Sequence, residues 1–201
     1  MTPGIDLSFI QQHVNWQEVA ASGVKFAICR AGEARWRDHA FSNHFAQSIA
    51  AGLATGAYYV FHADVDPFEQ ADLFFNIASA TQLPPALDLE VKGNVQPGEY
   101  VLKFGKFAER CEELFGRLPM IYGSPYFLSQ MLMQHDAFSR YPLWIAQYGV
   151  KQPHPPKPWT DWSIWQHIGN GGKVPGVPGD CDRDVFNGEL DKFQEWCAEP
   201  Y

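Results

Sequence analysis

The segment "LPPALDLEVKG", residues 83–93, sets two carboxylates, Asp88 and Glu90, inside an apolar run. Desolvating an isolated carboxylate is very unfavourable, so a buried strand has no packing reason to carry two of them. On a strand, residues i and i+2 share a face and lie roughly 6 to 7 Å apart. Asp88 and Glu90 would therefore project together. The apolar wall raises the proton affinity of one, and the charge of the other raises it further. That combination suits general acid chemistry, in which one group keeps a proton for delivery and its neighbour supplies charge. A lone Asp-x-Glu has a plainer reading as a solvated strand end or a structural ion pair, so other acids must decide.

Asp6 ends a strand-like run in "GIDLS", and Asp182 and Asp184 lie in "CDRDVF". The ends of other strand-like segments carry Tyr58, Tyr122, Trp144, Gln147, Tyr148, Trp165 and Gln166. Carboxylates ringed by aromatics and amides suit a carbohydrate cleft. Rings stack on sugar faces, and amides bind hydroxyl or N-acetyl groups. Taken singly, each aromatic is equally well explained by packing. Metal and nucleophile patterns are weaker. The seven His are scattered, His39 and His44 are five apart, and no His-Glu-x-x-His occurs. "HADVD" (62–66) reads as a loop ending in a helix-capping Asp66. "YGSPY" (122–126) is not a nucleophile elbow, and "GNGGK" (169–173) lacks phosphate-loop spacing. No metal and no cofactor are expected.

The elements that must hold these residues follow from periodicity and punctuation. Strands are expected at 4–9, 24–32, 54–62, 85–91 and 118–123. Each is followed by a helix: 15–23 capped by Asn15 with Glu18 three residues on, 38–52 stopping at Gly52, 66–79 opening Asp-Pro, 97–116, and 124–132 opening Ser-Pro. The rhythm then changes. Strands at 141–149, 161–168 and 181–186 have no helix between them, because "KQPHPPKPW" and "GNGGKVPGVPG" cannot form one. A last helix spans 189–197. Alternating β and α elements predict an α/β fold with a mainly parallel sheet. Eight strands predict closure into an irregular TIM-like barrel of five β/α units and three strands, (β/α)5(β)3. Acids at strand C-termini would then stand at the mouth, where barrel active sites are built. Strands one and eight would be neighbours, bringing Asp6 and Asp182 to the Asp88–Glu90 pair.

The composition agrees with one folded globular domain. The chain has 201 residues, 46% hydrophobic and 19% charged, without an internal repeat or a long linker. A net charge of −8 argues against nucleic acid, which asks for a basic patch, and against attachment to anionic membranes. No apolar run reaches the length of a membrane span. None of the four cysteines forms a Cys-x-x-Cys pair, and Cys29 reads as a buried thiol. A disulfide through Cys181 or Cys197 stays open.

In order along the chain, "GIDLS", "PALDLE", "MIYGSPYFL", "PLWIAQYG", "SIWQH" and "CDRDVFNG" resemble the glycoside hydrolase family 25 lysozymes, the N-acetylmuramidases. The resemblance covers essentially the whole chain. It implies cleavage of the β-1,4 bond from N-acetylmuramic acid to N-acetylglucosamine in bacterial peptidoglycan. It also implies Glu90 as general acid, Asp88 as its charged neighbour, and Asp6 and Asp182 completing the acidic cluster. Tyr58, Tyr122, Trp144, Gln147, Tyr148 and Gln166 would line the substrate cleft. Departures are "DLSFI" in the first motif, Tyr59 where His is frequent, and Asp184 where Asn is frequent. Residues 1–201 are then one catalytic domain with no separate wall-binding module, expected to be monomeric. The N-terminus lacks a basic region followed by an apolar stretch, so no signal peptide is expected. The enzyme would be made in the cytoplasm and reach the wall with a holin-like permeabilising partner, as a phage endolysin does. A catalytically silent sugar-binding barrel and a glycosidase of different specificity are the alternative readings.

Overall fold

The computed structural model describes residues 1–169 and 171–198; Asn170, within the loop read at 169–179, and residues 199–201 lie outside the described residues. Its strands are β1 (Thr2–Leu7), β2 (Phe26–Glu33), β3 (Trp36–Arg37), β4 (Ala54–Val60), β5 (Ala86–Asp88), β6 (Met120–Gly123), β7 (Leu143–Ala146), β8 (Ile164–Ile168) and β9 (Asp182–Phe186). Its helices are α1 (Trp16–Ala21), α2 (Phe41–Ala50), α3 (Pro67–Ala78), α4 (Pro97–Phe115), α5 (Pro125–Met131) and α6 (Leu190–Ala198). The sheet runs β1-β2-β4-β5-β6-β7-β8-β9 and closes back onto β1. Five β/α units and three strands thus make an eight-stranded barrel with helices outside.

The helix starts follow the expected chemistry. Asn15 Oδ1 accepts from the Glu18 amide at 3.3 Å, and Asn15 Nδ2 donates to Glu18 Oε1 at 2.8 Å. Asp66 Oδ1 accepts from the amides of Phe68 and Glu69 at 2.9 and 3.0 Å, with Pro67 at the first helical position.

Three features depart from the expected elements. First, β9 is antiparallel to both β8 and β1. Strand periodicity carries no information about direction, and here direction puts Asp182 at the mouth from the start of its strand. Second, the strand expected at 85–91 has regular pairing only over Ala86–Asp88. Leu89 N still donates to Tyr122 O at 3.0 Å, but the chain then turns through Gly93 at φ 67°, so Glu90 stands just past the strand end. A Cβ at Gly93 would lie 2.4 Å from Asp64 Oδ2, the carboxylate that accepts from the Asn94 amide. Third, β3, which pairs with β2 outside the barrel, and a 3-10 helix at Asp136–Arg140 are additions too short for periodicity to reveal.

Alternation along each strand sorts side chains into two apolar groups. One faces the helices: Ile5 and Leu7 of β1, Ala27 and Cys29 of β2, Leu87 of β5 and Ile145 of β7 pack with Val19, Phe74, Tyr100 and Phe107. The other fills the barrel: Phe26, Ile28, Ala86, Met120, Trp144, Ile164 and Phe186 meet Phe193 of α6, which closes the floor. Inward positions on these same strands, continued upward, are Arg30, Asp88, Tyr122 and Gln166. On β9 the inward positions above Phe186 are Asp184 and Asp182. The acids of "ALDLE" and "CDRD" are therefore the upper end of the inward-facing stripe. All four cysteines are free thiols, and Cys29 is buried.

Candidate active site

A cavity of about 580 Å³ opens at the top of the barrel, and Asp6, Ser8, Arg30, Tyr58, Glu90 and Asp182 are among its lining residues. Asp6 and Asp182 are directly opposite each other on β1 and β9. Asp88 is 3% exposed and lies below the cavity surface, whereas Glu90 is exposed. Burial first, then the Glu90 charge, pushes the Asp88 carboxyl well above the usual carboxylate range, against the pull of Arg30. Glu90 is also raised, first by lost hydration and then by Glu33, again with Arg30 opposing. Asp182 is raised by desolvation and by Asp180.

Asp6 hangs from a hydrogen-bonded chain. Gln166 Nε2 donates to Asp6 Oδ2 at 2.6 Å. Gln166 Oε1 in turn accepts from the Tyr122 hydroxyl at 2.9 Å and from the Tyr148 hydroxyl. With both hydroxyls donating to the amide oxygen, the amide NH2 is turned toward Asp6, so the orientation of Gln166 follows from its partners. Gln166 is 2% exposed, which makes it a support beneath Asp6. Trp144 is likewise interior. Its ring lies 4.5 Å from that of Tyr122 and 6.1 Å from that of Tyr58, and its Nε1 donates to Asp184 Oδ1 at 2.9 Å. Gln147 is turned away from this group: its Oε1 accepts from the His154 amide at 2.7 Å and its carbonyl from Trp165 Nε1 at 2.7 Å. The structure thus brings Asp6, Glu90, Asp182 and Tyr58 to one cavity, sets Asp88, Tyr122, Trp144 and Gln166 beneath it, and leaves Gln147 bracing a loop. Tyr148 is 52% exposed at the edge.

Sequence reading missed the cationic side of the mouth. Arg30, the inward residue above Ile28 on β2, donates through Nε to Asp38 Oδ2 at 3.0 Å and lies 3.7 Å from Glu33. Its guanidinium sits 4.8 Å from the Phe9 ring centroid and 4.9 Å from that of Trp36. Asp38 also accepts from the Phe9 amide at 3.0 Å, and His62 Nε2 contacts Glu33 Oε1 at 2.8 Å. The signal was present in "AICRAG", where a charge interrupts an apolar strand as Asp88 does.

A family model described as "Glycosyl hydrolases family 25" matches residues 5–177. The chain belongs to glycosyl hydrolase family 25. The enzyme is 33% identical over 199 residues to the uncharacterised protein YegX of Escherichia coli (strain K12), spanning 95% of this chain and 71% of that one. It is 28% identical to Lysozyme M1 of Streptomyces globisporus, over 92% of this chain and 67% of that one. Among solved structures, the bacterial lysozyme from Streptomyces coelicolor superposes with a TM-score of 0.91 at 27% identity, covering 98% and 96% of the two chains. The muramidase from Trichobolus zukalii gives 0.88 at 30% identity, covering 98% and 99%. These likenesses identify a glycoside hydrolase with the family's barrel. The matched family segment ends before β9, so Asp182 and Asp184 are placed at the enzyme's mouth by the barrel itself. Among the described residues no helix is long and apolar enough to cross a membrane.

Proposed function

We propose that this family 25 hydrolase is an N-acetylmuramidase, cleaving the β-1,4 bond from N-acetylmuramic acid to N-acetylglucosamine in peptidoglycan. The observation that carries the reading is Glu90: a carboxyl of raised proton affinity, open to the cavity and backed by the drier Asp88. Relatives bearing the names lysozyme and muramidase support the substrate class. Glu90 donates its proton to the glycosidic oxygen as the bond to the anomeric carbon breaks, and later takes a proton from the attacking water. The muramic 2-acetamido oxygen attacks the anomeric carbon in the first step, which leads to retention of configuration. Asp88 orients that group. Its Oδ1 has no hydrogen-bond partner among the described residues, and an acetamido N–H would supply one. Asp6 and Asp182 hold the opposite wall. Tyr58 and Tyr148 offer rings to the sugar, and Tyr122, Trp144 and Gln166 stiffen the wall from beneath.

Digestion of purified peptidoglycan, borohydride reduction and sugar analysis test the bond choice. Muramicitol is expected; glucosaminitol would identify a glucosaminidase instead. Proton NMR of the first products should show the β-anomer, and an initial α-anomer would replace acetamido participation with direct attack by water.

A further inference from the structure

Asp184 is 1% exposed, less than Asp88 at 3% and Asp6 at 5%. One of its oxygens is satisfied: Oδ1 accepts from Trp144 Nε1 at 2.9 Å. The other, Oδ2, is shut away from water and has no hydrogen-bond partner among the described residues. In register, Asp184 stands opposite Gly4 on β1 and Gln166 on β8, one inward position below Asp182. A Cβ at Gly4 would fall 2.2 Å from the Phe26 ring, so the bare glycine lets that ring fill the space beneath the acids. Asp6, the next inward residue above Gly4 on the adjoining strand, brings its carboxyl beside that of Asp184. Two carboxylates present only lone pairs to each other, so a hydrogen bond between them, which would also supply the missing partner of Asp184 Oδ2, requires that one of them carry a proton.

We propose that Asp184 is a positioning residue that shares a single proton with Asp6, and that this proton fixes the Asp6 carboxyl in the cavity wall. The pair is held at both ends, by Trp144 on Asp184 and by Gln166 on Asp6. The other titratable groups that face it are Asp182 and Cys181 by β9, Asp88 on β5, Tyr58 on β4, Tyr122 on β6, Tyr148 beyond β7 and Cys29 on β2. Glu90 and Arg30 line the same cavity as Asp6, and Arg30 is engaged by Asp38 and Glu33. Losing the shared proton would put a second negative charge into a buried pair that has no direct ion-pair partner among the described residues, and would break the link to Asp6. Burial accordingly pushes both carboxyls upward, Asp6 further through the charges of Asp184 and Asp182. Both groups bind protons more tightly folded than unfolded. Their contribution to stability is complete below the ordinary aspartate range and is lost as pH rises through their folded values.

The test uses the whole chain labelled with carboxyl-13C aspartate, followed by NMR from acid to alkaline pH, with signals assigned through Asp6→Asn, Asp88→Asn and Asp184→Asn. In the wild type, one carboxyl of the Asp6–Asp184 pair should stay protonated at about pH 6, roughly two units above ordinary aspartate. In Asp184→Asn the amide can accept from Trp144 and donate to Asp6, so the Asp6 titration should fall by about two units. An Asp6 titration unmoved by Asp184→Asn would overturn the shared proton. The kinetic arm alone rests on the muramidase reading. Asp184→Leu, which cannot donate, should lower kcat on peptidoglycan about 100-fold. Asp184→Asn should recover about tenfold of that loss. Equal losses in the two variants, or no loss in Leu, would overturn the positioning role. The titration needs no substrate, so failure of the muramidase reading would leave its result standing.

Discussion

At the floor of the barrel, Phe26, Phe186 and Phe193 pack with ring centroids 5.0 and 5.2 Å apart, fully or almost fully buried. Two to four residues further along the same strands, the inward positions are Arg30 on β2 and Asp184 and Asp182 on β9. The backbone is the same and the alternation is the same. What changes is the depth at which a side chain meets the cavity. The apolar floor lets the barrel close, and it also supplies the low-dielectric backing that makes protons hard to remove from the acids above it. The upper half is itself divided. On the β2 side, Asp38 and Glu33 are paired with Arg30. On the β9 side, Asp184 and Asp6 have no such partner among the described residues, and the proposed link between them is a shared proton. One wall is balanced by a cation, the other by a proton.

The largest expected effect is in the upper half. Glu90→Gln keeps the side-chain shape and removes the proton cycle. Turnover on peptidoglycan should fall by at least about 1,000-fold, on the order of 4 kcal/mol in the barrier. The thermal unfolding midpoint should hardly move, because Glu90 is exposed and lies outside regular pairing. Retention of most wild-type activity would remove Glu90 from the role of acid.

The floor should respond in the opposite way. Phe193 is 1% exposed and touches Phe26, Phe186 and Trp196. Phe193→Ala should lower unfolding free energy by about 3 to 5 kcal/mol, as deletion of a buried ring does. Urea denaturation measures this. At temperatures where the variant stays folded, kcat should be close to wild type. A large loss of kcat without loss of stability would mean that floor and mouth are not separable.

Much of this division was legible in the sequence, and its limits have physical causes. Asp88 announced itself because a charge in an apolar strand needs a reason, and Gly, Pro and capping residues fixed most element boundaries. Direction was not legible: an antiparallel β9 has the same alternation as a parallel one. Depth was not legible either. Gln147 and Gln166 both look like strand-end amides, but Gln147 is three residues from inward-facing Trp144 and so falls on the other face. Gln166, two residues from inward-facing Ile164, falls beneath Asp6. Parity separates the two amides once one inward residue per strand is known. Pairing was hidden as well. Arg30, Glu33 and Asp38 are close in sequence, but nothing in a linear string says that Phe9 and Trp36 flank the guanidinium.

The finest distinction concerns the support under Asp6. Gln166 Oε1 accepts two hydroxyls, one from Tyr122, largely enclosed beside the Trp144 ring, and one from Tyr148, 52% exposed. Burial raises the proton affinity of both phenols, with nearby acids adding to it, so both remain donors through the alkaline range in which the enzyme can be assayed. Removing one donor leaves the other holding the amide. Which one remains matters, because a solvent-facing hydroxyl exchanges its protein partner for water at little loss. Tyr148→Phe should therefore lower kcat by only about threefold, which is under about 1 kcal/mol and typical of one net hydrogen bond. Tyr122→Phe should lose about tenfold, because water cannot replace its hydroxyl beside Trp144. Steady-state kinetics on one peptidoglycan preparation compares the two. If Tyr148→Phe proves the more damaging, the Gln166 orientation is set from the rim of the cavity, and the boundary between the stiff interior and the working mouth lies one layer higher, at Tyr148.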